Sequence, residues 1–519
     1  MLRRVLPALL LLLAIAPPAL GKHDPLASTI ETILAQPELE RGFWGIEVVS
    51  LKDGRTLYAL NSDKLFTPAS NTKLFTTAAA LALIGPDYRF KTTVETAGTV
   101  DKYGRLVGDV VLVGRGDPNL SGRVLPYAGR TQRTQPSIRV LEQLADQLVQ
   151  KGVKFIDGDI VADDSYYAFE RYGEGWTQDD LVWESGAPVS ALSINDNVMF
   201  VNILPADRPG EKAFVSIDPF ADYYRIDNRI LTTPSGTGPR KIFINREPGS
   251  NVLTLWGNIP VDDPGAGEAL AIDDPAAFAG QLFQRLLEQR GIAVYGRPRT
   301  RHTELASLQT LTVTALASGG GEHGMASRQP LVLASYQSSP FIDDLQVVNK
   351  VSQNLHAELM LRLLGREKGT SGTIEGGLEV ERGFLTQAGI APAQYAFYDG
   401  SGMSRENLAT PHAVVQLLRY AAGQPWGKAW QDTLAIAGID GSLANRFKGT
   451  SAEGRVRAKT GALGHVNALS GYATTVNGVP IAFSILTNNH KLVSKRALEV
   501  VDQIVLAVVN DQPAGKKRN

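Results

Sequence analysis

Ser70 and Lys73, a serine and a lysine three positions apart, are a pair of side chains that could carry out covalent catalysis. On a helix, positions i and i+3 lie on one face, so the hydroxyl and the amine would be within hydrogen-bonding reach. A serine hydroxyl is a poor nucleophile until a base removes its proton, and a lysine becomes such a base when burial and nearby charge lower its pKa. Ser70 also falls in the first helical turn, where free backbone N–H groups help to hold a developing oxyanion. The pair predicts acyl transfer, although this spacing alone occurs by chance in many long chains.

A cation and a hydroxyl recur together far along the chain, in Lys459-Thr460-Gly461. Their side chains are suited to a terminal carboxylate, and the glycine would let the backbone of a substrate approach the strand closely. A polar turn is the alternative interpretation. The predicted strand before this segment and the Ala462-Leu463-Gly464 after it favour an active-site edge strand instead.

A third element lies between these two and reads Asp399-Gly400-Ser401-Gly402-Met403-Ser404-Arg405-Glu406-Asn407. A Ser-x-x-Lys motif, a serine/asparagine element and Lys-Thr-Gly, in this order, are the signature of penicillin-recognising serine enzymes. A long insertion after the Ser-x-x-Lys helix narrows the match. The chain resembles the class C low-molecular-mass penicillin-binding proteins, the D-alanyl-D-alanine carboxypeptidase/endopeptidase family, over nearly all of its length.

The resemblance assigns the second motif to Ser404 and Asn407, although the family pattern is Ser-x-Asn and this pair has one extra residue between its members. Glu406 occupies the literal third position and is the alternative to Asn407. A literal Ser-x-Asn occurs at Ser193-Ile194-Asn195, but we set it aside because it lies among predicted strands of the insertion.

The mechanism that the resemblance implies uses Lys73 as a neutral base for the Ser70 hydroxyl. Ser70 would attack the carbonyl of the penultimate D-alanine, and the backbone N–H groups of Ser70 and Ala462 would form the oxyanion hole. Ser404 would relay a proton to the leaving amine. Water would then release the acyl-enzyme, and β-lactam antibiotics would follow the same path but leave slowly.

Substrate contacts are also implied by the resemblance. Lys459 and Thr460 would hold the substrate carboxylate beside Gly461. In this family an acidic residue of the insertion approaches the diaminoacyl side chain of the peptide, and Asp163 is the candidate here, with Asp164 next to it. The alternative is that both aspartates belong to a polar turn after a strand.

Strand and helix patterns at the two ends of the chain predict one α+β domain built from both termini. Strand patterns occupy 42–60, around an Asp53-Gly54 turn, and 455–459, 466–473 and 479–486, with helical patterns at 351–365, 375–388, 411–421 and 494–509. We expect a penicillin-recognising, transpeptidase-like domain, an antiparallel sheet with helices, formed by residues 22–91 and 311–519. Residues 92–310 are rich in short strand patterns and turns and predict β-rich inserted domains.

Residues 1–21 have the pattern of a signal peptide, with a basic start, an apolar run and small residues near Gly21. We therefore expect a periplasmic protein. The sequence has no cysteine, so disulfides and thiolate metal sites are excluded, and the proposed chemistry needs no metal or other cofactor. A balance of 52 basic and 53 acidic residues argues against nucleic acid as a partner. The expected partners are peptidoglycan stem peptides and, as covalent inhibitors, β-lactams; the sequence leaves the oligomeric state open, a homodimer included.

Two other functions compete with the peptidase. A β-lactamase would need fast deacylation, and the sequence offers no carboxylate-bearing loop of that kind. A non-catalytic wall-binding protein would have no need for intact Ser70, Lys73, Ser404 and Lys459. The sequence does not decide between trimming of terminal D-alanine and cleavage of cross-links, nor does it identify the diamino acid of the peptide.

Overall fold

The computed structural model describes residues 25–129, 136–247, 249–308 and 329–511, so the predicted signal peptide lies outside the described residues. The described α-helices are Pro25–Leu34 (α1), Thr72–Ile84 (α2), Arg139–Gln150 (α3), Pro275–Gln289 (α4), Phe341–Gln346 (α5), Asn354–Lys368 (α6), Ile374–Gln387 (α7), Pro411–Ala422 (α8), Gly427–Asp432 (α9) and Ser494–Asn510 (α10). None of them has both the length and the apolar composition that a membrane span requires.

The strands run from the first hairpin to the last antiparallel pair. In chain order they are Phe43–Ser50 (β1), Thr56–Leu60 (β2), Lys91–Thr96 (β3), Thr99–Val100 (β4), Arg105–Val107 (β5), Val110–Val113 (β6), Asp117–Leu120 (β7), Phe155–Ile156 (β8), Ile160–Ala168 (β9), Leu192–Ile194 (β10), Val198–Leu204 (β11), Phe214–Asp218 (β12), Arg225–Thr233 (β13), Lys241–Asn245 (β14), Val252–Pro260 (β15), Ala266–Ala271 (β16), Ala293–Val294 (β17), Pro298–Thr303 (β18), Leu331–Gln337 (β19), Tyr395–Ala396 (β20), Leu408–Ala409 (β21), Ala435–Ile436 (β22), Val456–Leu463 (β23), Val466–Thr474 (β24) and Pro480–Asn488 (β25).

The two ends of the chain meet in one six-stranded sheet, in the order β2-β1-β25-β24-β23-β22. β1 is antiparallel to β25 along its whole length, from Phe43 opposite Asn488 to Ser50 opposite Ile481. The terminal helices α1 and α10 cover one face with residues such as Ile30 and Val505. On the other face lie α2, α6, α7 and α8, which share one apolar core. The predicted α+β fold, an antiparallel sheet with helices, is confirmed.

Helix α2 is buried on nearly all sides, as its apolar composition predicts. Leu74, Phe75 and Ala78 are fully buried against the central sheet and its neighbouring helices. Burial of this helix places its first turn at the edge of β23, in the interior of the domain. A single 3₁₀ turn, Ala69–Asn71, precedes the helix and carries the predicted nucleophile.

The inserted region combines β-sheets with helices. β18, β9, β6, β3 and β19 form a five-stranded sheet, and helices α3 and α4 pack in the same core. Two further three-stranded sheets share an apolar core. Their strand orders are β12-β11-β16 and β13-β15-β14. β19 pairs with β3 and so belongs to the five-stranded sheet, although it lies beyond the predicted end of the insertion at residue 310. The first and last strands of the five-stranded sheet along the chain are therefore neighbours.

Candidate active site

Ser70 and Lys73 are brought together at the start of α2. Lys73 Nζ donates a hydrogen bond to Ser70 Oγ at 2.9 Å, so the pair predicted from its spacing is formed. The same amine donates to Asn354 Oδ1 at 2.6 Å and to the Ser401 carbonyl oxygen at 2.5 Å. These contacts hold the amine beside the hydroxyl from which it would take a proton.

The Lys73 side chain is completely buried, and this burial governs its protonation state. Burial lowers the pKa of Lys73 to about 7, although the carboxylates of Asp399 and Glu358 act in the opposite direction. At neutral pH a large fraction of the amine is therefore unprotonated, which is the state that a general base requires.

Lys459 is also fully buried and lies on β23. Its Nζ donates to Ser352 Oγ at 2.8 Å and to the Thr460 carbonyl oxygen at 2.9 Å. Burial, and then the charge of Lys73, lower the pKa of Lys459 well below its ordinary value. The site therefore contains two desolvated amines that raise the energy of each other's charged form.

The segment Ser352-Gln353-Asn354, called here the 352–354 triplet, contacts both amines. Ser352 Oγ accepts from Lys459, and Asn354 Oδ1 accepts from Lys73. Asn354 Nδ2 donates to the Ser185 carbonyl oxygen of the inserted region at 2.8 Å. Ser352 has a φ of +68°, so the backbone turns sharply between a π-helical turn at 347–351 and the start of α6. This turn aims both side chains at the lysines.

Ser404 and Asn407, the predicted second motif, bond to other groups in the described structure. Ser404 Oγ accepts from the Glu406 N–H at 3.2 Å. Asn407 Nδ2 donates to Asp399 Oδ1 at 2.6 Å, and its Oδ1 accepts from the Tyr398 N–H at 2.7 Å. Neither residue, nor Glu406, has a hydrogen bond to either lysine among the described contacts. The geometry corrects the prediction: these polar atoms stabilise a loop, and the 352–354 triplet contacts the lysines in their place.

The loop from Asp399 to Gly402 nevertheless contributes its backbone to the site. The Ser401 carbonyl oxygen contacts Lys73, and the Gly402 backbone passes directly beside the 3₁₀ turn. A Cβ atom on Gly402 would lie 2.0 Å from the Ala69 carbonyl oxygen and 3.0 Å from the Ser70 nitrogen. Glycine is therefore required at 402 by this close approach as well as by its φ of +81°.

Strand β23 runs alongside the turn that carries Ser70. Asn71 Nδ2 donates to the Lys459 carbonyl oxygen at 3.1 Å, and a Cβ atom on Gly461 would lie 2.9 Å from the Pro68 carbonyl oxygen. Thr460 Oγ1 donates to Ser442 Oγ at 2.8 Å, and Ala462, the next residue after Gly461, is exposed. The Lys-Thr-Gly segment thus lies within β23, past the predicted strand end at Lys459 and next to the short β22, whose two residues pair with Arg457 and Ala458.

Asp163 does not have the free carboxylate that its predicted role requires. One carboxylate oxygen accepts from the Ser165 N–H at 3.0 Å and from Ser165 Oγ at 2.6 Å. The other accepts from Arg301 Nη1 at 2.9 Å, and the side chain is only 8% exposed. The prediction that Asp163 binds a substrate ammonium is therefore corrected: a cation of the same chain already occupies that carboxylate.

Sequence reasoning missed the 352–354 triplet, although the chain carries a signal for it. The triplet is a literal Ser-x-Asn, positioned between the Ser-x-x-Lys and Lys-Thr-Gly motifs. The predicted helix over 351–365 hid it, since a helix would have continued through Ser352. A serine in the left-handed region is uncommon, and nothing in its neighbours' residue types predicts it.

Comparison with known proteins gives the same assignment over nearly the whole chain. The profile of the D-Ala-D-Ala carboxypeptidase 3 (S13) family matches residues 26–318 and 318–509. A D-alanyl-D-alanine carboxypeptidase of Actinomadura sp. (strain R39) is 34% identical over 488 residues, which cover 92% of this chain and 83% of that protein. The D-alanyl-D-alanine carboxypeptidase DacB of Haemophilus influenzae is 25% identical and covers 86% of this chain and 85% of its own length.

Solved structures support the fold. The crystal structure of penicillin-binding protein 4 of Haemophilus influenzae superposes with a TM-score of 0.77 at 23% identity, over 92% of this chain and 98% of that one. A complex of the same protein with a β-lactam superposes with a TM-score of 0.72 at 22% identity, over 93% and 99% of the two chains. With its assembled motifs, its domain plan and these matches, the chain belongs to the D-Ala-D-Ala carboxypeptidase 3 (S13) family.

Proposed function

We propose that Ser70 is the nucleophile of a serine D-alanyl-D-alanine carboxypeptidase that acts on peptidoglycan stem peptides. The observation that carries the proposal is the 2.9 Å contact between Ser70 Oγ and the fully buried Lys73 amine. Family membership supplies the reaction class, and the site supplies the groups that this reaction needs.

In the first step Lys73 accepts the proton of Ser70 while the oxygen attacks the carbonyl carbon of the penultimate D-alanine. The oxyanion that forms is held by the backbone N–H groups of Ser70 and Ala462. Collapse of the tetrahedral intermediate breaks the peptide bond and releases D-alanine, which receives a proton at its amine. Water then hydrolyses the ester, and the Ser70 hydroxyl is restored.

Ser352 takes the role that the motif pattern predicted for Ser404. Its hydroxyl accepts from Lys459, so it would pass its own proton to the leaving amine and take a replacement from the charged Lys459 amine, while Asn354 holds the Lys73 amine in place. A proton relay of this kind requires a short contact on each side of the hydroxyl: one is the contact with Lys459, and the leaving amine of the bound substrate would provide the other.

Lys459 and Thr460 would bind the terminal carboxylate of the substrate. In the free site, burial and the charge of Lys73 lower the pKa of Lys459 and so disfavour its charged form. An incoming carboxylate would reverse this balance, since it supplies a counter-charge at short range and a charge-assisted hydrogen bond. Anionic substrates would thus convert Lys459 to its charged form on binding.

Cross-link cleavage and β-lactam sensitivity follow from the same site. A D-alanyl amide to a diamino acid has the same carbonyl as terminal D-alanyl-D-alanine, so we propose endopeptidase activity as well. β-Lactams would acylate Ser70 and remain attached. Peptidoglycan as the substrate, and the leader pattern at residues 1–21, favour a location outside the cytoplasm, with the leader removed near Gly21.

A labelling experiment tests the nucleophile. The purified protein is treated with a fluorescent penicillin, and the adduct is located by peptide mapping. Ser70→Ala should lose both the label and the release of D-alanine from a D-Ala-D-Ala peptide, whereas the control Ser216→Ala, on β12 of the insertion, should keep both. A label at another serine in Ser70→Ala would reject the assignment.

The lifetime of the adduct separates the proposal from its rivals. An adduct that persists for many turnovers of peptide substrate supports the peptidase, and its rapid hydrolysis would support a β-lactamase. Absence of any adduct would support a non-catalytic wall-binding protein. Digestion of purified peptidoglycan, with the products identified by mass spectrometry, tests the endopeptidase activity.

A further inference from the structure

A buried cluster of charged side chains joins the inserted region to the catalytic domain directly behind the 352–354 triplet. At its centre, His356 of α6 contacts two carboxylates: its Nδ1 lies 2.7 Å from Asp344 Oδ1 of α5, and its Nε2 lies 3.1 Å from Asp196 Oδ1 of the insertion. The side chains of His356 and Asp196 are both 0% exposed. Through His356, buried charged contacts thus link α5, α6 and the insertion, which lie far apart in sequence.

The second oxygen of Asp196 reaches the triplet itself. Gln353 Nε2 donates to Asp196 Oδ2 at 3.1 Å, and Arg123 forms a buried ion pair with the same oxygen. Gln353 Oε1 in turn accepts from the Leu355 N–H at 2.8 Å and so caps the start of α6. One aspartate of the insertion therefore contacts the residue that lies between Ser352 and Asn354.

The backbone on both sides of this contact has unusual geometry. Asn195, Asp196 and Asn197 have φ values of +52°, +58° and +55°, and Ser352 has a φ of +68°. Non-glycine residues in this region cost free energy and persist only where the surroundings hold them. Hydrogen bonds of the Asn197 side chain help to stabilise the 195–197 turn. Its Oδ1 accepts from the Ile194 N–H at 3.1 Å, and its Nδ2 donates to the Pro188 carbonyl oxygen at 2.8 Å.

We propose that Asp196, His356 and Gln353, called here the Asp196 clasp, are positioning residues that fix Ser352 and Asn354 against the two active-site lysines. The inference rests on the proposed function, in which the triplet serves catalysis. It adds that the insertion is a working part of the catalytic machinery and not only an addition to its surface.

The charges of the clasp explain why it would be rigid. Burial alone lowers the pKa of His356, but the carboxylates of Asp344 and Asp196 outweigh it and raise the pKa to about 8. At neutral pH the imidazolium and the Arg123 guanidinium thus face the carboxylates of Asp344 and Asp196 in the protein interior. Asp117 of β7 also interacts electrostatically with Asp344 and His356, and burial raises the pKa of Asp117 to about 7. Because these charges hold the Asp196 carboxylate in place, displacing Gln353 would remove a hydrogen bond from a buried carboxylate, which costs more than the loss of a bond between neutral groups.

Acylation kinetics and a double-mutant cycle test the proposal. Asp196→Asn and His356→Gln should each slow acylation by fluorescent penicillin at least about tenfold, because small misplacements of catalytic groups are costly. In a Ser352→Ala/Asn354→Ala background, the same substitutions should add less than about threefold, since both groups that they position are absent. Equal losses in the two backgrounds would mean that the clasp acts only on stability, and would overturn the proposal.

Gln353→Glu is a milder variant in case the first two fail to fold. It keeps the oxygen that caps α6 but places a carboxylate against Asp196, so acylation should fall. The deficit relative to the unmodified protein should shrink as the pH is lowered and the carboxylate pair takes up a proton. A deficit that is absent, or that does not change with pH, would contradict the clasp.

His302→Gln is the matched control. His302 Nδ1 lies 2.7 Å from Asp164 Oδ1, in a histidine–aspartate pair of the insertion away from the triplet. Its loss should change acylation by less than about threefold, as expected for an independent site. Thermal unfolding of every variant sets a temperature at which all are folded. Failure of the clasp would leave the requirement for Ser70 intact, whereas failure of the proposed function would remove it.

Discussion

The segments 352–354 and 404–407 each contain a serine and an asparagine, yet the structure uses them differently. Ser404 and Asn407 are completely buried and bond to backbone groups and to Asp399. In the 352–354 triplet the serine and asparagine are only partly buried, and they contact the amines of Lys459 and Lys73. The residue types are alike, so bonding partners and access to solvent distinguish a structural segment from a catalytic one.

This difference follows from the hydrogen-bonding capacity of the side chains. The Asn407 amide already donates to Asp399 and accepts from the Tyr398 N–H. Moving it toward Lys73 would leave buried polar groups without partners, which costs more than a single new bond returns. A loop that is satisfied internally is therefore poorly suited to proton transfer.

The largest expected effect concerns the triplet. Ser352→Ala and Asn354→Ala should each slow acylation by a fluorescent penicillin by about 10²-fold or more, the scale of a lost proton-transfer or oxyanion partner. Ser404→Ala is the control and should stay within about tenfold of the unmodified protein. If Ser404→Ala slowed acylation strongly and the two triplet variants did not, the catalytic segment would be 404–407 and the structural one 352–354.

The next effect is on pH dependence. Acylation requires neutral Lys73, whose pKa is about 7, so its rate constant should fall about tenfold per pH unit well below that value. Asn354 Oδ1 accepts from the amine and favours its charged form, so Asn354→Ala should lower the pKa and move this acidic limb to lower pH. Asn407→Ala should leave the limb in place; rate–pH profiles of both variants provide the check.

Asn407→Ala should instead destabilise the protein. The substitution removes a buried bond to the Asp399 carboxylate and one to a backbone N–H, together worth about 2–3 kcal/mol. Denaturant unfolding would measure the loss, and acylation far from the transition should change little. An unchanged free energy of unfolding would show that the loop does not depend on this amide.

The smallest effect is expected at Asp163. Because Arg301 and Ser165 already occupy its carboxylate, Asp163→Asn should not alter the ratio of kcat/KM between peptides with and without a free diaminoacyl amine. The two values are obtained by timing D-alanine release from each peptide. A selective loss on the amine-bearing peptide would restore the role predicted for Asp163 from the sequence.

Local patterns in the sequence predicted much of this molecule. The helices at 354–368, 374–387 and 411–422 and the three C-terminal strands lie close to their predicted positions, because the apolar residues of each element are buried in the core of the domain. The Ser-x-x-Lys pair was also predictable, since its geometry is local to one turn of helix.

What the sequence did not reveal depends on contacts between distant residues. The left-handed turn at Ser352 is fixed by Gln353 against Asp196, from the insertion, and by Lys459, from a strand over a hundred positions later. Asp163 likewise resembles a free acidic residue until Arg301 is placed beside it. Partners of this kind are set by the tertiary fold, and single-chain patterns carry no record of them.

The order of strands in the central sheet has a consequence for biosynthesis. β1, from the beginning of the chain, pairs along its whole length with β25, near its end. The Thr67 N–H, three residues before the nucleophile, donates to Asn488 Oδ1 across 421 positions of sequence. Synthesis begins at the N-terminus, so Ser70 is made long before β23, β24 and β25, the strands that complete the site. An unfinished or truncated chain would therefore contain the nucleophile but lack the strands that complete the active site. We expect such a chain to be unable to cleave peptidoglycan.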